Sequence, residues 1–177
     1  MQETNTDTLA ASRQNIQAFG QHYDYDVSYL EELLDASPGA FKAFEAAMGM
    51  GRYQKTAPDE VLMIAKIAAM RLQDCGPCTL LNIKMAREKG MPEPLIKASL
   101  HQGKGLTAEQ RDIYDYARAV AANVDLDPEL LPRLQARWGR KVIAEIAISV
   151  VSTHLYPTLK RALGHAQSCA LIPELAA

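Results

Sequence analysis

EVLMIAKIAAMRLQDCGPCTLLN, residues 60–82, joins a nearly unbroken apolar run to two cysteines spaced three apart. Val61, Ile64, Ala65, Ala68 and Leu72 recur at helical spacing and most residues between them are apolar too, so the run reads as a helix buried on almost every side, the central element of its fold. Thr56-Ala57-Pro58-Asp59 supplies the start signals ahead of it. Beyond the Cys-Gly-Pro-Cys turn a second helix is expected over about 78–89, closed by Gly90 and Pro92. It runs back antiparallel to the first.

Working outward, helical stretches recur and strand signals do not. VSYLEELLD (27–35) is the first helix expected, and Ser37-Pro38 opens a second, AFKAFEAAM, that stops in the loop MGMGRYQK. Downstream come PEPLIKASLHQG (92–103), a helix from Thr107 with a capping box in TAEQ, PELLPRLQARWG (128–139), and a long apolar helix over about 140–155. Pro157 is expected to kink or end that helix before TLKRALGHAQSC. The chain therefore reads as one all-α domain, 1–177, a bundle of about eight helices with 1–55 as an N-terminal helical extension and 56–177 as the core.

Charge and composition narrow the function classes. A net charge of −2 over 177 residues, with no basic run, offers no electrostatic footprint for nucleic acid or an anionic membrane. The polar, acidic start and the interruption of the apolar stretch near 142–151 by Glu145 argue against a signal peptide or a membrane span. Three cysteines, two of them paired in sequence, suit a reactive thiol pair in a reducing cytoplasm better than a secreted disulfide framework. The helices at 60–72 and 142–152 look apolar on more faces than one chain can cover, which predicts a homo-oligomer.

The chemistry centres on Cys75 and Cys78. A thioredoxin carries this tetrapeptide after a buried strand and behind a Trp, whereas here a helix and Asp74 precede it. A zinc site would need two more ligands, and Cys169, His101, His154 and His165 form no second knuckle. A dithiol/disulfide couple at a helix start remains, with the helix dipole favouring a thiolate there. Around it, Lys66 is a lone cation in the apolar helix, able to hold a thiolate or merely to snorkel. Glu145 is either a core ion pair or a pocket acid with a raised pKa, and His154, nine residues on, is the histidine best placed to approach the pair. Tyr114 and Tyr116 read as packing, and Cys169 as a free thiol.

The segments 60–93, LTAEQRDIYDYARAVAAN (106–123) and YPTLKRALGHAQSC (156–169) together resemble the carboxymuconolactone decarboxylase superfamily, in its alkylhydroperoxidase-D-like branch. The resemblance runs from Thr56 onward. It implies an all-α fold, homo-oligomers, no cofactor and no metal, and thiol-dependent reduction of a hydroperoxide, the electrons coming from an external thiol or dithiol. It also implies that Cys78 attacks the peroxide and Cys75 exchanges with the reductant, whereas helix-end electrostatics alone would favour Cys75 as the more acidic thiol.

The branch carries a Glu twelve positions before the first Cys and a His four after the second. Here those positions are Met63 and Asn82, with Glu60 the nearest acid, about 4.5 Å further along the helix axis. Asn82 can hydrogen-bond but cannot carry a proton near neutral pH. Two alternatives follow. The chain could be a redox sensor that keeps the dithiol without efficient turnover, or a lactone decarboxylase, which the cysteine pair disfavours.

Overall fold

The computed structural model describes residues 3–171, and among these there are eight α-helices and no strand. α1 (Glu3–Tyr23), α2 (Ser28–Ala36) and α3 (Pro38–Met48) precede a 3-10 turn, Gly49–Arg52. Then come α4 (Asp59–Leu72), α5 (Gly76–Glu88), α6 (Glu93–Leu100), α7 (Ala108–Ala122) and α8 (Leu130–Ala162), with a last 3-10 turn at Cys169–Leu171.

α4 is the hub, as its composition predicts. Every residue from Val61 to Met70 except Lys66 is buried, and α5, α6, α7 and α8 pack around it. That burial is complete within a single chain. The sequence argument that the 60–72 helix needs a neighbouring subunit therefore fails, because four helices of its own bundle enclose it.

Two further corrections concern boundaries. Within the helical extension expected over 1–55 the first helix reads as 27–35, yet α1 precedes it: its polar sequence shows little apolar periodicity, and the helix is held by a few contacts such as Ile16, buried in a cluster with Tyr29, Leu30, Leu34 and Phe41. Pro157 does not end α8, which runs through it to Ala162. A proline in a helix interior costs about 3 kcal/mol. Here the turn around it buries Tyr156, Leu159, Lys160 and Leu163 against the N-terminal helices, and that packing offsets the loss. The break in α8 lies instead at Gly139, where φ of 78° and ψ of 157° leave the helical region. A positive φ is open to glycine without steric cost. By length and composition α8 could cross a membrane, but half of its most apolar window is buried inside the bundle.

The N-terminal helices form a second apolar cluster on the C-terminal half of α8, beside the main core of α4–α8. The turn that joins α1 to α2 is built on Gly20. The chain turns back after α1, with Tyr25 N–H donating to the Gly20 carbonyl at 2.9 Å. A Cβ on Gly20 would meet Tyr25 O and Val27 Cγ2 at 3.0 Å each, so a bare backbone is what lets residues 24–27 cross closely there.

Candidate active site

α4 and α5 make an antiparallel hairpin whose turn, residues 73–75, carries Asp74 at φ 46°. Asp is among the few side chains that tolerate this left-handed conformation. Cys75 is the N-cap of α5 in an extended conformation, and Pro77 sits in its first turn, where a missing N–H costs nothing. Cys78 follows one turn on. The two sulfurs are joined as a disulfide, and Cys169 is a free, buried thiol.

Both paired cysteines are almost wholly buried, Cys75 at 0 % and Cys78 at 1 % exposure, but they face different surroundings. Cys78 lies in the wall of a cavity of about 770 Å³ to which Met63, Lys66, Met70, Asn82 and Tyr156 also contribute, whereas Cys75 does not line it. Cys75 is instead covered by the C-terminal segment. The Asp74 carboxylate accepts from Ser168 Oγ and Cys169 N–H, both at 2.9 Å, and Gly76 N–H donates to Gln167 O at 2.9 Å. Thr79 donates its hydroxyl proton to Cys75 O at 3.0 Å, which leaves the Cys169 thiol, 3.6 Å away, as donor to Thr79 Oγ1. Hydrogen bonds from Cys169 N–H and Ser168 hold the Asp74 pKa below the usual carboxylate range against its partial desolvation.

The structure sorts the site residues expected from sequence. Asn82 belongs to the cavity, is buried, and turns its amide back onto Cys78 O at 2.9 Å. Lys66 also lines it; its ammonium donates to Gly51 O at 2.6 Å. Desolvation, then repulsion from Lys89, lower its pKa from 10.5 to about 8, opposed by Asp59. The other three lie elsewhere. Glu60 is exposed and accepts from Gln110 Nε2 at 2.7 Å, fixing α4 to α7. His154 is half-buried beside Gln73, ring nitrogen to amide 3.5 Å, and does not line the cavity, although its neighbours Ser152, Thr153 and Tyr156 do.

Glu145 is neither an ion pair nor a raised-pKa acid. Its carboxylate accepts the backbone N–H groups of Lys55, Thr56 and Ala57 at 2.9 to 3.1 Å. Hydrogen bonds to the ionised form favour it. Those from Lys55 and Ala57 outweigh desolvation and, with Thr56, take its pKa from 4.5 to about 2. Its work is to fix the entry to α4 on α8.

Sequence reasoning missed the side chains that approach Cys78 from outside the hairpin. Tyr25, between α1 and α2, places its hydroxyl 3.7 Å from Cys78 Sγ and 3.5 Å from Tyr29 Oη. Lys160 of α8 is 1 % exposed, its ammonium 4.4 Å from the Tyr25 ring centre and 4.6 Å from that of Tyr29. Tyr156 packs against the small cluster formed by Met70, Cys75 and Cys78. The available signal was weak: three of the chain's seven tyrosines fall within HYDYDVSY, at 23, 25 and 29. Among the described residues no three His, Cys, Asp or Glu side chains converge as metal ligands would.

A crystal structure from Agrobacterium tumefaciens, described as a protein of unknown function and a candidate antioxidant defence protein AhpD, superposes with a TM-score of 0.62 at 21 % identity, covering 75 % of this chain and 91 % of that one. The fold is accordingly AhpD-like, a class of all-α bundle. No family model matches the sequence, and no curated protein does.

Proposed function

We propose that the protein reduces organic hydroperoxides with Cys75 and Cys78, using an external dithiol. The observation that supports this reading is the position of the pair: a disulfide at the start of α5, with Cys78 alone of the two in the wall of a cavity of about 770 Å³. In the reduced protein the Cys78 thiolate attacks the terminal, hydroxyl-bearing oxygen of the hydroperoxide. The O–O bond breaks, the departing alkoxide takes a proton from water, and Cys78 becomes a sulfenic acid. The Cys75 thiolate then attacks Cys78 Sγ, hydroxide leaves and is protonated, and the disulfide forms. A dithiol restores both thiols by exchange and is itself oxidised to a disulfide. Hydroperoxide and dithiol thus become alcohol, water and the oxidised dithiol.

The lining of apolar and aromatic side chains, Phe19, Phe41, Met63 and Met70 among them, favours an alkyl or aryl hydroperoxide over hydrogen peroxide itself. The burial of both sulfurs equally suits a redox sensor, which would oxidise once and turn over slowly. Steady-state consumption of cumene hydroperoxide with dithiothreitol distinguishes the two. Catalytic turnover that vanishes in Cys78→Ser supports the peroxidase; a single stoichiometric oxidation without turnover supports the sensor. The homo-oligomer and the cytoplasmic setting belong to the same proposal, the first to be checked by light scattering against the chain mass of 19.5 kDa.

A further inference from the structure

Asn82 cannot supply the proton transfer that a histidine would, and Glu60, His154 and Glu145 are turned to other partners. The groups that do reach Cys78 come from the N-terminal helices and from α8. Cys78 Sγ carries no proton in the disulfide, so in the contact at 3.7 Å the Tyr25 hydroxyl is the donor. Its oxygen then accepts from Tyr29, 3.5 Å away. The result is a chain running one way, Tyr29 to Tyr25 to sulfur. Beside it lies Lys160, a buried ammonium held over both rings, with Asp26 the carboxylate acting on it among the described residues.

We propose that Tyr25 is a catalytic residue that stabilises the Cys78 thiolate by hydrogen bond, with Tyr29 and Lys160 as the positioning residues that orient its hydroxyl and supply positive field. This rests on the reading of Cys78 as the peroxide-attacking thiol. A hydroxyl that remains protonated is what the role requires, and burial raises the pKa of Tyr25 well above the ordinary phenol range. Burial also lowers that of Lys160, with Asp26 opposing. An anion on Cys78 would favour the charged ammonium, so thiolate and cation support each other. Other ionisable groups that face this corner include Asp26 before α2, Arg52 from the 3-10 turn, Lys66 from α4, Tyr156 from α8, and His165, whose ring is 6.4 Å from that of Tyr29.

The proposal is tested on the reduced full-length chain, by the pH dependence of iodoacetamide alkylation at Cys78, read on its own peptide by mass spectrometry. Tyr25→Phe removes one oxygen and keeps the ring that covers Lys160. It should raise the Cys78 pKa by about one to two units, lowering alkylation at neutral pH about tenfold or more, the usual worth of a hydrogen bond to a charged group. Lys160→Met should raise it by about one unit, and Tyr29→Phe by less than Tyr25→Phe. A Cys78 pKa unchanged in both Tyr25→Phe and Lys160→Met, with circular dichroism as in the parent, overturns the inference. Because the titration needs no peroxide, it decides this question whether or not the parent turns over hydroperoxide; failed turnover with an intact Tyr25 effect would refute only the peroxidase.

Discussion

Residues 167–169 lie over the N-terminal end of α5 beside Cys75, and Asp74 supplies two of the hydrogen bonds that hold them there. Asp74→Gly removes the carboxylate while leaving a residue that adopts φ 46° freely, so backbone strain does not enter. Two hydrogen bonds to a charged acceptor are lost, from Ser168 Oγ and Cys169 N–H. Each would be worth about 1.5–3 kcal/mol where desolvated. Asp74 is exposed, so about 1 kcal/mol each is the better figure. A combined loss of about 2 kcal/mol raises the open population of the segment about thirtyfold. If opening limits access, reduction of the Cys75–Cys78 disulfide by dithiothreitol should speed up by about the same factor. Quenching the reaction at intervals with a thiol-alkylating reagent and weighing the products measures the rate. A rate within twofold of the parent would show that the reductant enters through the cavity at Cys78 and that the segment is no gate.

Two further predictions concern pH. Glu145→Gln should lower the melting temperature at neutral pH and flatten the acid limb of the stability profile. The folded-state pKa of about 2 lies below the ordinary 4.5, so this stability is present above 4.5 and is lost as pH falls toward 2; a parent and variant with parallel acid limbs would contradict it. Lys66 has the same sign of linkage in an alkaline window, although here burial opposes the charged form instead of hydrogen bonds favouring it. Its folded pKa of about 8 lies below 10.5, so the unfolded chain binds the extra proton and stability rises between those values, by at most about 3 kcal/mol. Urea titrations of Lys66→Met across that range should show the rise abolished, and an unchanged rise would assign it to another group.

Much of this molecule is written in local sequence. The nearly all-round apolar run of α4 defines a central helix because apolar faces have nowhere to go but the interior, and Val61 to Met70, Lys66 excepted, are buried as that requires. Thr107 and Gln110 cap α7 through bonds within one turn, and Cys75 and Cys78 pair because three residues of helix start bring them together. Such features depend on neighbours within a few positions, so the sequence states them. α1 and the passage of α8 through Pro157 depend on burial against distant helices, which outweighs weak periodicity in one case and a lost backbone bond in the other. The partners of the cysteines belong to this second kind. Tyr25 lies 53 residues from Cys78, and the bonds from Ser168 and Cys169 to Asp74 span 94 and 95. Glu145, whose apolar surroundings read as either a core ion pair or a pocket acid, became a low-pKa acceptor because the chain at 55–57 turns three N–H groups onto it. A carboxylate's role is set by what donates to it, and only the packing of α8 against the entry to α4 chose those donors.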